Sequence, residues 1–340
     1  MSFKIAVIGC GAFSVLMHGP AYVQYAAERD GVTLAACCDL DEDKAASFRT
    51  AFGFGAHYTN YLTMLQEEQP DAVCLHVSIP STSRLAIAIL ELGYPLLMEK
   101  PPGVHPEDTL AIMDAAARSG TVAKVAMNRR YMPLMMQLKS MLDEQSVIHP
   151  VRHIAMEMVR YRRHYDFTTT AIHCIDAIRY LAGADYDRIQ FHYTELPEDS
   201  DHAVNVSMLA VMRNGTTAQL MILPTAGATI ERASVHLRNV SYYLRLPLTG
   251  SVDEEGELLA FESKKVSARF TNTDYPGEAE PYQTNGFYRE IAAFLDGIAS
   301  GEPVGVEVAD VLQSVVVAAC MRRREPEYNA DLTVVQQGEG

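Results

Sequence analysis

The first 39 residues contain the pattern that most restricts how this chain folds. A short apolar run, Lys4 to Ile8, leads into the turn Gly9-Cys10-Gly11-Ala12-Phe13-Ser14. A predicted helix and a second apolar run, Thr33 to Cys38, follow and end in Asp39. A strand, a glycine turn, a helix and a strand that ends in an acid make up the dinucleotide-binding unit of doubly wound α/β folds.

The two glycines of the turn have separate physical roles. Gly9 permits the tight turn, and Gly11 lets backbone amides, including those of Ala12 and Phe13, approach a pyrophosphate at the helix N-terminus. Ser14 stands where the third glycine is usual, so the helix is expected to lie slightly further from the strand or to accommodate a hydroxyl. The alternative is an ordinary strand-helix-strand unit without a nucleotide, and the agreement of turn, strand and acid favours the dinucleotide site.

Asp39 decides between the two nicotinamide dinucleotides. A carboxylate at the end of the second strand hydrogen-bonds the ribose hydroxyls, and it repels a 2′-phosphate. No arginine follows it in the sequence. The sequence therefore predicts NAD, with NADP disfavoured.

Length and charge limit the remaining possibilities. A chain of 340 residues favours two domains, each large enough to bury a core. The formal charge of −15 and a pI near 5.1 argue against nucleic acid or an anionic membrane as partner, because both require clustered Lys and Arg. A small molecule is the expected ligand.

The lack of an apparent targeting signal and the spacing of the cysteines predict the cellular compartment. No apolar run approaches the ~20 residues of a membrane span, and no charged segment precedes a long apolar one at the N-terminus. The six cysteines form no CxxC pair and several lie in apolar strands, which predicts buried, reduced thiols and no metal site. We expect a cytoplasmic protein.

Strands and helices alternate from Asp39 to residue 127, which predicts a doubly wound parallel sheet, a Rossmann domain, over 1–127. Ligands bind beyond the carboxyl ends of such strands, so the residues there are candidates for cofactor binding. Besides the turn and Asp39, these candidates are Ser78, Pro80, Glu99, Lys100 and Asn128. Glu99 and Lys100 precede two prolines, which restrict the backbone, although a rigid turn with solvated charges explains the same pattern.

Residues 128–340 show a different pattern. Val151 to Arg160 alternates apolar and polar residues, further alternating runs follow, and Asn214-Gly215 between two of them is a strong hairpin signal. This predicts an α+β domain with an open, largely antiparallel sheet and helices on one face, used for substrate binding and oligomerisation. Because the other face needs cover, we expect a homodimer or homotetramer.

A helix predicted from Thr168 carries a polar stripe. Thr169, His173, Asp176 and Tyr180 share one face, and the stripe lacks the Lys and Glu of a solvated face. It therefore predicts a face that lines a cleft, without salt bridges. Oxidation of an alcohol requires a base for the hydroxyl proton, and imidazole titrates near neutral pH, so His173 is the candidate base.

Several segments together resemble the Gfo/Idh/MocA oxidoreductases, the family of glucose-fructose oxidoreductase and inositol dehydrogenase. They are the glycine turn, Met17-His18-Gly19-Pro20, Glu99-Lys100-Pro101, Asn128-Arg129-Arg130-Tyr131, and Ile172 to Leu181. The resemblance covers nearly the whole chain. It implies a Rossmann domain, a C-terminal sheet domain used for oligomerisation, NAD or NADP, and a sugar, cyclitol or related polyol as substrate. It also implies that Lys100 hydrogen-bonds the reacting oxygen and that His173 is the acid/base.

Three positions depart from the family pattern. Thr169 stands where many members carry an aspartate four residues before the histidine, and it is kept as a catalytic candidate. Arg84 stands where many carry a histidine, and Ser14 replaces the last glycine of the turn. The first departure removes a carboxylate from the usual set of Lys, Asp and His.

An arginine-rich stretch precedes the polar helix. Guanidinium groups match carboxylates, so Arg160, Arg162 and Arg163 are candidate contacts to an acidic substrate group. Tyr165 and Asp176 are further candidate substrate contacts. A solvated basic loop is the favoured alternative.

Three functions remain open on the sequence alone. The first is an NAD-dependent dehydrogenase or reductase that acts on the CH-OH groups of a sugar-, cyclitol- or sugar-acid-like substrate, and retention of Lys100 and His173 favours it. The second is a dinucleotide-binding regulatory protein without turnover, which Thr169 favours. The third is a glycoside hydrolase that uses NAD transiently, and net NADH production separates it from the first.

Overall fold

The structure is a computed structural model that describes residues 3–146, 149–161, 168–196, 203–303 and 305–331. The chain divides into two compact units, one of residues 1–128 and 286–315 and the other of residues 129–285 and 316–340. The segment 286–315 thus packs with the first unit, whereas the sequence prediction placed it in the second domain. Contacts that are distant in sequence hold it there, because Tyr25 and Arg29 both donate hydrogen bonds to Asp296.

The first unit contains a six-stranded parallel sheet in the order β3-β2-β1-β4-β5-β6. Its strands are β1 (Phe3–Ile8), β2 (Val32–Cys38), β3 (Ala56–Tyr58), β4 (Ala72–Leu75), β5 (Leu96–Met98) and β6 (Ala123–Val125). The strand order reverses between β1 and β4, and a doubly wound sheet binds its ligand at that point. The predicted Rossmann sheet is confirmed.

Helices connect these strands. In chain order they are a π-helical turn (Ser14–His18), α1 (Gly19–Ala27), α2 (Glu42–Phe52), α3 (Tyr61–Glu68), α4 (Ile79–Glu91) and α5 (Pro106–Ser119). Side chains define their starts, since Asp41 accepts a hydrogen bond from Lys44 N before α2 and Asn60 accepts one from Leu62 N before α3. Such caps explain why helices begin where the sequence turns polar.

The second unit contains a nine-stranded sheet in the order β14-β13-β12-β11-β7-β10-β9-β8-β15. Only the pairing of β7 with β10 is parallel among the described pairs, so the sheet is largely antiparallel, as predicted. Its strands are β7 (His153–Val159), β8 (Tyr186–Glu195), β9 (Val204–Met212), β10 (Thr217–Leu223), β11 (Ile230–His236), β12 (Val240–Arg245), β13 (Glu257–Glu262), β14 (Lys265–Phe270) and β15 (Glu327–Asn329).

The remaining helices are short or amphipathic. They are two 3-10 turns (Asn128–Tyr131 and Asn272–Asp274), α6 (Pro133–Ser146), α7 (Thr168–Ala182), α8 (Pro281–Thr284), α9 (Phe287–Ser300) and α10 (Val308–Arg322). Helices α6 and α7 contact strands of the second sheet. In the described chain, no helix combines the length and the apolar character that crossing a bilayer requires.

Two hairpins show how far local sequence predicts this sheet. The predicted hairpin at Asn214-Gly215 joins β9 to β10, and Gly215 has φ of +86°. The hairpin between β13 and β14 was not predicted. Its turn residues, Ser263 and Lys264, adopt φ of +50° and +71°, which is the backbone that Asn-Gly usually supplies. A turn built from unfavoured residues leaves little local signal.

Buried charges hold the second unit together. Glu231 of β11 has no exposed surface and accepts two hydrogen bonds from Arg129, at 3.0 and 3.1 Å. Arg160 also donates to this carboxylate and to the carbonyl oxygens of Val159 and Ile230. Burial raises the pKa of Glu231, but the charges and hydrogen bonds of the two arginines outweigh burial and lower it to about 2.

We predict that Glu231→Gln destabilises the protein by about 3–5 kcal/mol at pH 7, because it leaves the buried guanidinium of Arg160 and the partly exposed one of Arg129 without their counter-charge. The folded pKa lies below the unfolded value near 4.5, so the stability from Glu231 is present above that pH and is lost as the pH falls towards 2. Urea unfolding at pH 7 and pH 4 measures both effects. Glu195→Gln is the control, since Glu195 forms a largely exposed pair with Arg324 at 3.6 Å, and an equal loss in the two variants would contradict the prediction.

Candidate active site

The glycine turn starts at the end of β1, where two backbones come close together. Gly9 has φ of +103°, and a Cβ atom there would lie 2.1 Å from the carbonyl oxygen of His76. A Cβ on Gly11 would meet nothing within 4 Å among the described residues beyond its chain neighbours. Gly9 is therefore a steric requirement of the fold, whereas Gly11 leaves open space in front of the helix.

The helix after this turn starts in an unusual geometry. Its segment Ser14–His18 is a π-helical turn that continues into α1, and such turns occur frequently at functional sites. Ser14 is buried, so the structure accommodates the hydroxyl in place of the third glycine. Ala12 and Phe13 are exposed at the start of the helix, on the side of the turn.

Asp39 is fixed beside the turn by two backbone amides. Its Oδ2 accepts a hydrogen bond from Cys10 N at 2.8 Å, and its Oδ1 accepts one from Asp41 N at 3.0 Å. A carboxylate that binds backbone groups on both oxygens has little freedom to rotate. It presents negative charge at the end of β2, next to the first residues of the helix.

The other predicted cofactor residues follow the neighbouring strands. Ser78 and Pro80 are exposed at the start of α4, after β4. Glu99 and Lys100 follow β5 and are partly exposed, and Asn128 is buried after β6. The strands are parallel, so all these residues lie at the same edge of the sheet as Gly9 and Asp39.

A buried network of ionisable side chains lies at this edge. His18 Nε2 and Glu99 Oε1 are 2.7 Å apart, and the His18 ring stacks on that of His76 at 3.7 Å between centroids. His76 Nδ1 lies 3.7 Å from the same carboxylate oxygen, and His76 Nε2 lies 2.7 Å from the hydroxyl of Tyr22. The network connects the π-helical turn, α1 and the ends of β4 and β5.

Burial and neighbouring charges set the protonation of this network. Burial raises the pKa of Glu99, but hydrogen bonds and charge from His18 and His76 outweigh it and hold that pKa well below its usual range. Burial and the charge of His18 lower the pKa of His76 to about 4. At neutral pH Glu99 is thus a carboxylate, which only accepts hydrogen bonds, so His18 Nε2 is the donor between them.

The same three residues have the composition of a metal site, because ligand atoms of His18, His76 and Glu99 lie within 4.8 Å of one another. An imidazole binds a metal through the nitrogen lone pair, in the plane of its ring. Rings that stack with an interplanar angle of 15° direct their lone pairs side by side, not towards one ion. The geometry suits a hydrogen-bonded network better than a metal site.

Lys100 occupies the turn that follows Glu99. The Lys100-Pro101 peptide bond is cis, and Pro101, Pro102 and Gly103 are buried behind it. The backbone amide of Lys100 donates a hydrogen bond to Glu99 Oε2 at 3.3 Å. Glu99 is therefore bound through one oxygen to His18 and through the other to the backbone of Lys100.

Helix α7 in the second unit carries the other predicted catalytic residues. His173 is buried, with 5% of its surface exposed, and Thr169 lies one helical turn before it and is half-buried. Asp176, on the same stripe, accepts two hydrogen bonds from Arg130 at 2.7 and 2.6 Å. The prediction of a stripe without salt bridges is wrong at Asp176, because the arginine comes from a segment 46 residues earlier in the chain.

The candidate substrate arginines divide into two groups. Arg160 is buried, and its guanidinium binds Glu231 and two carbonyl oxygens, which contradicts the favoured alternative of a solvated basic loop at this residue. Its charge neutralises an internal carboxylate. Arg162, Arg163 and Tyr165 lie outside the described residues.

The sequence did not predict the network around Glu99. His18 appeared only within a family segment, and Tyr22 carried no assigned role. Alternation and spacing report contacts within one element, whereas this network joins residues as far apart as 81 positions. The available signal was a polar residue at each of two buried places: His76 at the end of a strand and Tyr22 on a helix face. Buried polar groups require hydrogen-bond partners.

Comparisons with known proteins agree with the Rossmann fold of the first unit. Residues 3–127 match the model of an oxidoreductase family with an NAD-binding Rossmann fold, Gfo/Idh/MocA. Inositol 2-dehydrogenase 2 of Saccharopolyspora erythraea is 24% identical over 99% of this chain and 97% of its own length.

Two solved structures share the fold over their full length. A Gfo/Idh/MocA family oxidoreductase from Vibrio cholerae has a TM-score of 0.77 with 20% identity and covers 100% of both chains. An Agrobacterium radiobacter oxidoreductase, solved in complex with NAD+, L-tartaric acid and magnesium, has a TM-score of 0.80 with 15% identity and covers 98% of this chain and 100% of its own.

The order of the six strands and the match over residues 3–127 identify the Rossmann domain of an NAD-binding oxidoreductase. Over residues 3–127 the chain is similar to the Gfo/Idh/MocA oxidoreductases, which confirms the resemblance predicted from the sequence.

The residues present fit NAD. Gly11 leaves room where a side chain would fill the front of the helix, and exposed Ala12 and Phe13 follow it. Asp39 is held at the end of β2 by Cys10 N and Asp41 N, so its charge stands where a ribose is bound in folds of this class. Gly9 to Phe13 would hold the pyrophosphate, and Asp39 the adenosine ribose.

We predict that the protein binds NADH at least about tenfold more tightly than NADPH, because Asp39 cannot leave the position where a 2′-phosphate would bring like charge. Asp39→Asn removes the negative charge and reduces the difference in affinity between NADH and NADPH. Titration of each nucleotide by protein fluorescence measures both affinities.

The matched control is Asp41→Asn, since Asp41 is an exposed carboxylate two residues away and asparagine caps helices equally well. We expect the Asp41→Asn variant to keep the preference of the unaltered protein for NADH over NADPH. Equal or tighter binding of NADPH by the unaltered protein would show that Asp39 does not face the ribose.

Proposed function

We propose that this protein is an NAD-dependent dehydrogenase that oxidises a CH-OH group of a sugar-, cyclitol- or sugar-acid-like substrate, or reduces the corresponding carbonyl. The observation that carries the proposal is the position of Lys100. It lies on a buried, proline-backed turn at the end of β5, on the same sheet edge as the glycine turn and Asp39.

The chain's own residues supply the proton chemistry of this reaction. Bound NAD supplies the hydride acceptor for the carbinol carbon. Lys100 donates a hydrogen bond to the reacting oxygen and stabilises the negative charge that develops there. His173 takes the hydroxyl proton in oxidation and returns it in reduction, as a general base and acid. Thr169 adjoins His173 along α7 and supplies a neutral hydroxyl.

The substrate class rests on the relatives. Inositol 2-dehydrogenase 2 matches nearly the whole chain, and D-apiose dehydrogenase of Paraburkholderia graminis is 30% identical over 44% of it. Their names describe a cyclitol and a sugar, both rich in secondary hydroxyl groups. A polyol is accordingly the first class of compound to test, and sugar acids are the second.

A second copy of the chain is proposed to cover the outer face of the second sheet, as a homodimer or homotetramer. That face exposes Leu209, Met221 and Tyr243 by 57%, 40% and 47%, and it encloses an open groove of about 1400 Å³. Exposed apolar side chains that alternate with buried ones along these strands favour a face that a second protein surface covers. Sedimentation velocity measures this oligomeric state directly.

The six buried free thiols suit a reducing compartment, and we therefore propose that the protein is cytoplasmic.

We predict that a screen of polyols, sugars and sugar acids finds a compound that produces NADH, and that Lys100→Met lowers kcat for it about a hundredfold. Methionine keeps the length of the side chain but removes the ammonium group. Affinity for NAD stays nearly intact, because the charge acts on the reacting oxygen. Absorbance of NADH measures the rate, and fluorescence titration measures the affinity.

Lys4→Met is the control for this substitution, since Lys4 lies on β1 and donates to the carbonyl of Glu68, away from the strand ends. An unchanged rate in Lys100→Met on an authentic substrate would mean that the turn is only structural. NAD binding without turnover of any compound would favour a regulatory protein, for which the neutral Thr169 is the supporting observation.

We predict that Thr169→Asp shifts the acid limb of the pH-rate profile to higher pH. A carboxylate one turn before His173 stabilises the imidazolium and raises the histidine pKa, whereas oxidation requires the neutral ring. His173→Ala lowers the rate by about two to four orders of magnitude. Full activity in His173→Ala, or an unchanged pH-rate profile in Thr169→Asp, would mean that another group accepts the hydroxyl proton of the substrate.

A further inference from the structure

We propose that His18 is a positioning residue for Lys100, acting through Glu99, and that it connects the geometry of the Lys100 turn to the helix that follows the glycine turn. The inference rests on the proposed role of Lys100 and adds a residue that contacts neither substrate nor the reacting atoms.

One carboxylate forms the connection. Glu99 Oε1 accepts a hydrogen bond from His18 Nε2 at 2.7 Å, and Glu99 Oε2 accepts one from the backbone amide of Lys100 at 3.3 Å. Both oxygens of a single planar group are thereby used by two different segments. A displacement of the His18 ring changes the orientation of the carboxylate and therefore the position of the Lys100 backbone.

The His18 ring itself is held tightly. It has no exposed surface, and its face stacks on His76 at 3.7 Å. Its ring also meets Phe13 and Phe287 in edge-to-face contacts, with centroids 5.7 and 5.2 Å away. Aromatic contacts of this kind fix the ring plane. The nitrogen that donates to Glu99 therefore has one available direction.

A second contact fixes the partner ring. The hydroxyl of fully buried Tyr22 lies 2.7 Å from His76 Nε2, so His76 cannot rotate without losing that bond. Its other nitrogen, Nδ1, stays 3.7 Å from Glu99 Oε1. The fixed ring of His76 thus holds the stacked ring of His18 in place beside the same carboxylate.

The location of His18 provides the link to the cofactor turn. His18 is the last residue of the π-helical turn Ser14–His18, which directly follows Gly11, Ala12 and Phe13. Val15 N donates to Gly11 O at 3.0 Å, so the start of this helix is bonded to the turn. A nucleotide that orders the turn therefore also restrains His18, and through Glu99 it restrains Lys100.

The activity test uses a double-mutant cycle. His18→Phe keeps an aromatic ring for stacking and removes the donor, and we expect kcat to fall about tenfold to a hundredfold while affinity for NAD changes little. His18→Gln restores a donor and recovers part of the loss. If His18 acts only through Lys100, His18→Phe causes no further loss of kcat in a Lys100→Met background.

Equal loss of kcat from His18→Phe in both backgrounds would overturn the proposal, because a merely structural residue lowers activity whether or not Lys100 is present. His57→Phe is the matched control. His57 is a half-buried histidine on β3 of the same unit, and its substitution leaves kcat unchanged.

A spectroscopic test does not depend on turnover. The amide signal of Lys100, assigned from its loss in Lys100→Met after ¹⁵N-lysine labelling, shifts on addition of ADP-ribose to the unaltered protein. In His18→Phe this shift is lost or strongly reduced, although ADP-ribose still binds. The same shift in both proteins, or none in the unaltered one, would overturn the proposal. If the shift behaves as expected but no compound is oxidised, the proposed reaction fails and the link between His18 and Lys100 stands.

Discussion

The close approach of the ends of β1 and β4 is the constraint on which the first unit depends. The carbonyl oxygen of His76 lies where a side chain on Gly9 would be, so only glycine lets the two backbones meet. That contact positions the glycine turn, the start of the following helix and the His76 ring relative to one another. Glu99 and Lys100, at the end of the adjacent strand β5, lie on the same edge of the sheet.

Charges in the two units are stabilised in the same manner. Glu99 in the first unit and Glu231 in the second are carboxylates with lowered pKa values, because basic side chains outweigh the cost of burial. In the second unit, Arg129 and Arg130, which are adjacent in sequence, bind Glu231 and Asp176. Asp176 anchors α7, the helix that carries His173. The ion pairs thus keep a proposed catalytic helix in place without exposing the charges that hold it.

Much of the fold follows from local sequence. The alternation of apolar runs and capped helices predicts the doubly wound sheet, and Asn214-Gly215 predicts a hairpin, because each signal arises from the preferences of neighbouring residues. The hairpin at Ser263-Lys264 was missed, since neither residue favours a positive φ. The packing of segment 286–315 with the first unit leaves no local signal, because its partners, such as Tyr25 and Arg29, lie near the other end of the chain.

The candidate site was predictable to a similar degree. Residues that follow strands, such as Asp39 and Lys100, could be placed from the order of elements. The partners of His18, Asp176 and Arg160 could not, because spacing within one element carries no information about a side chain that arrives from another. Each of these three pairs joins segments at least 46 residues apart, and each changes the interpretation of the residue concerned.

The proposed function depends on the transfer of a hydride from the substrate carbon to NAD. A polyol labelled with deuterium at the oxidised carbon tests it most directly, with NAD present and the reduced nucleotide examined by mass spectrometry and NMR. We expect deuterium at C4 of the nicotinamide, with one label transferred for each substrate oxidised. Reduced nucleotide without the label, or consumption of the polyol with no net reduction of NAD, would contradict it.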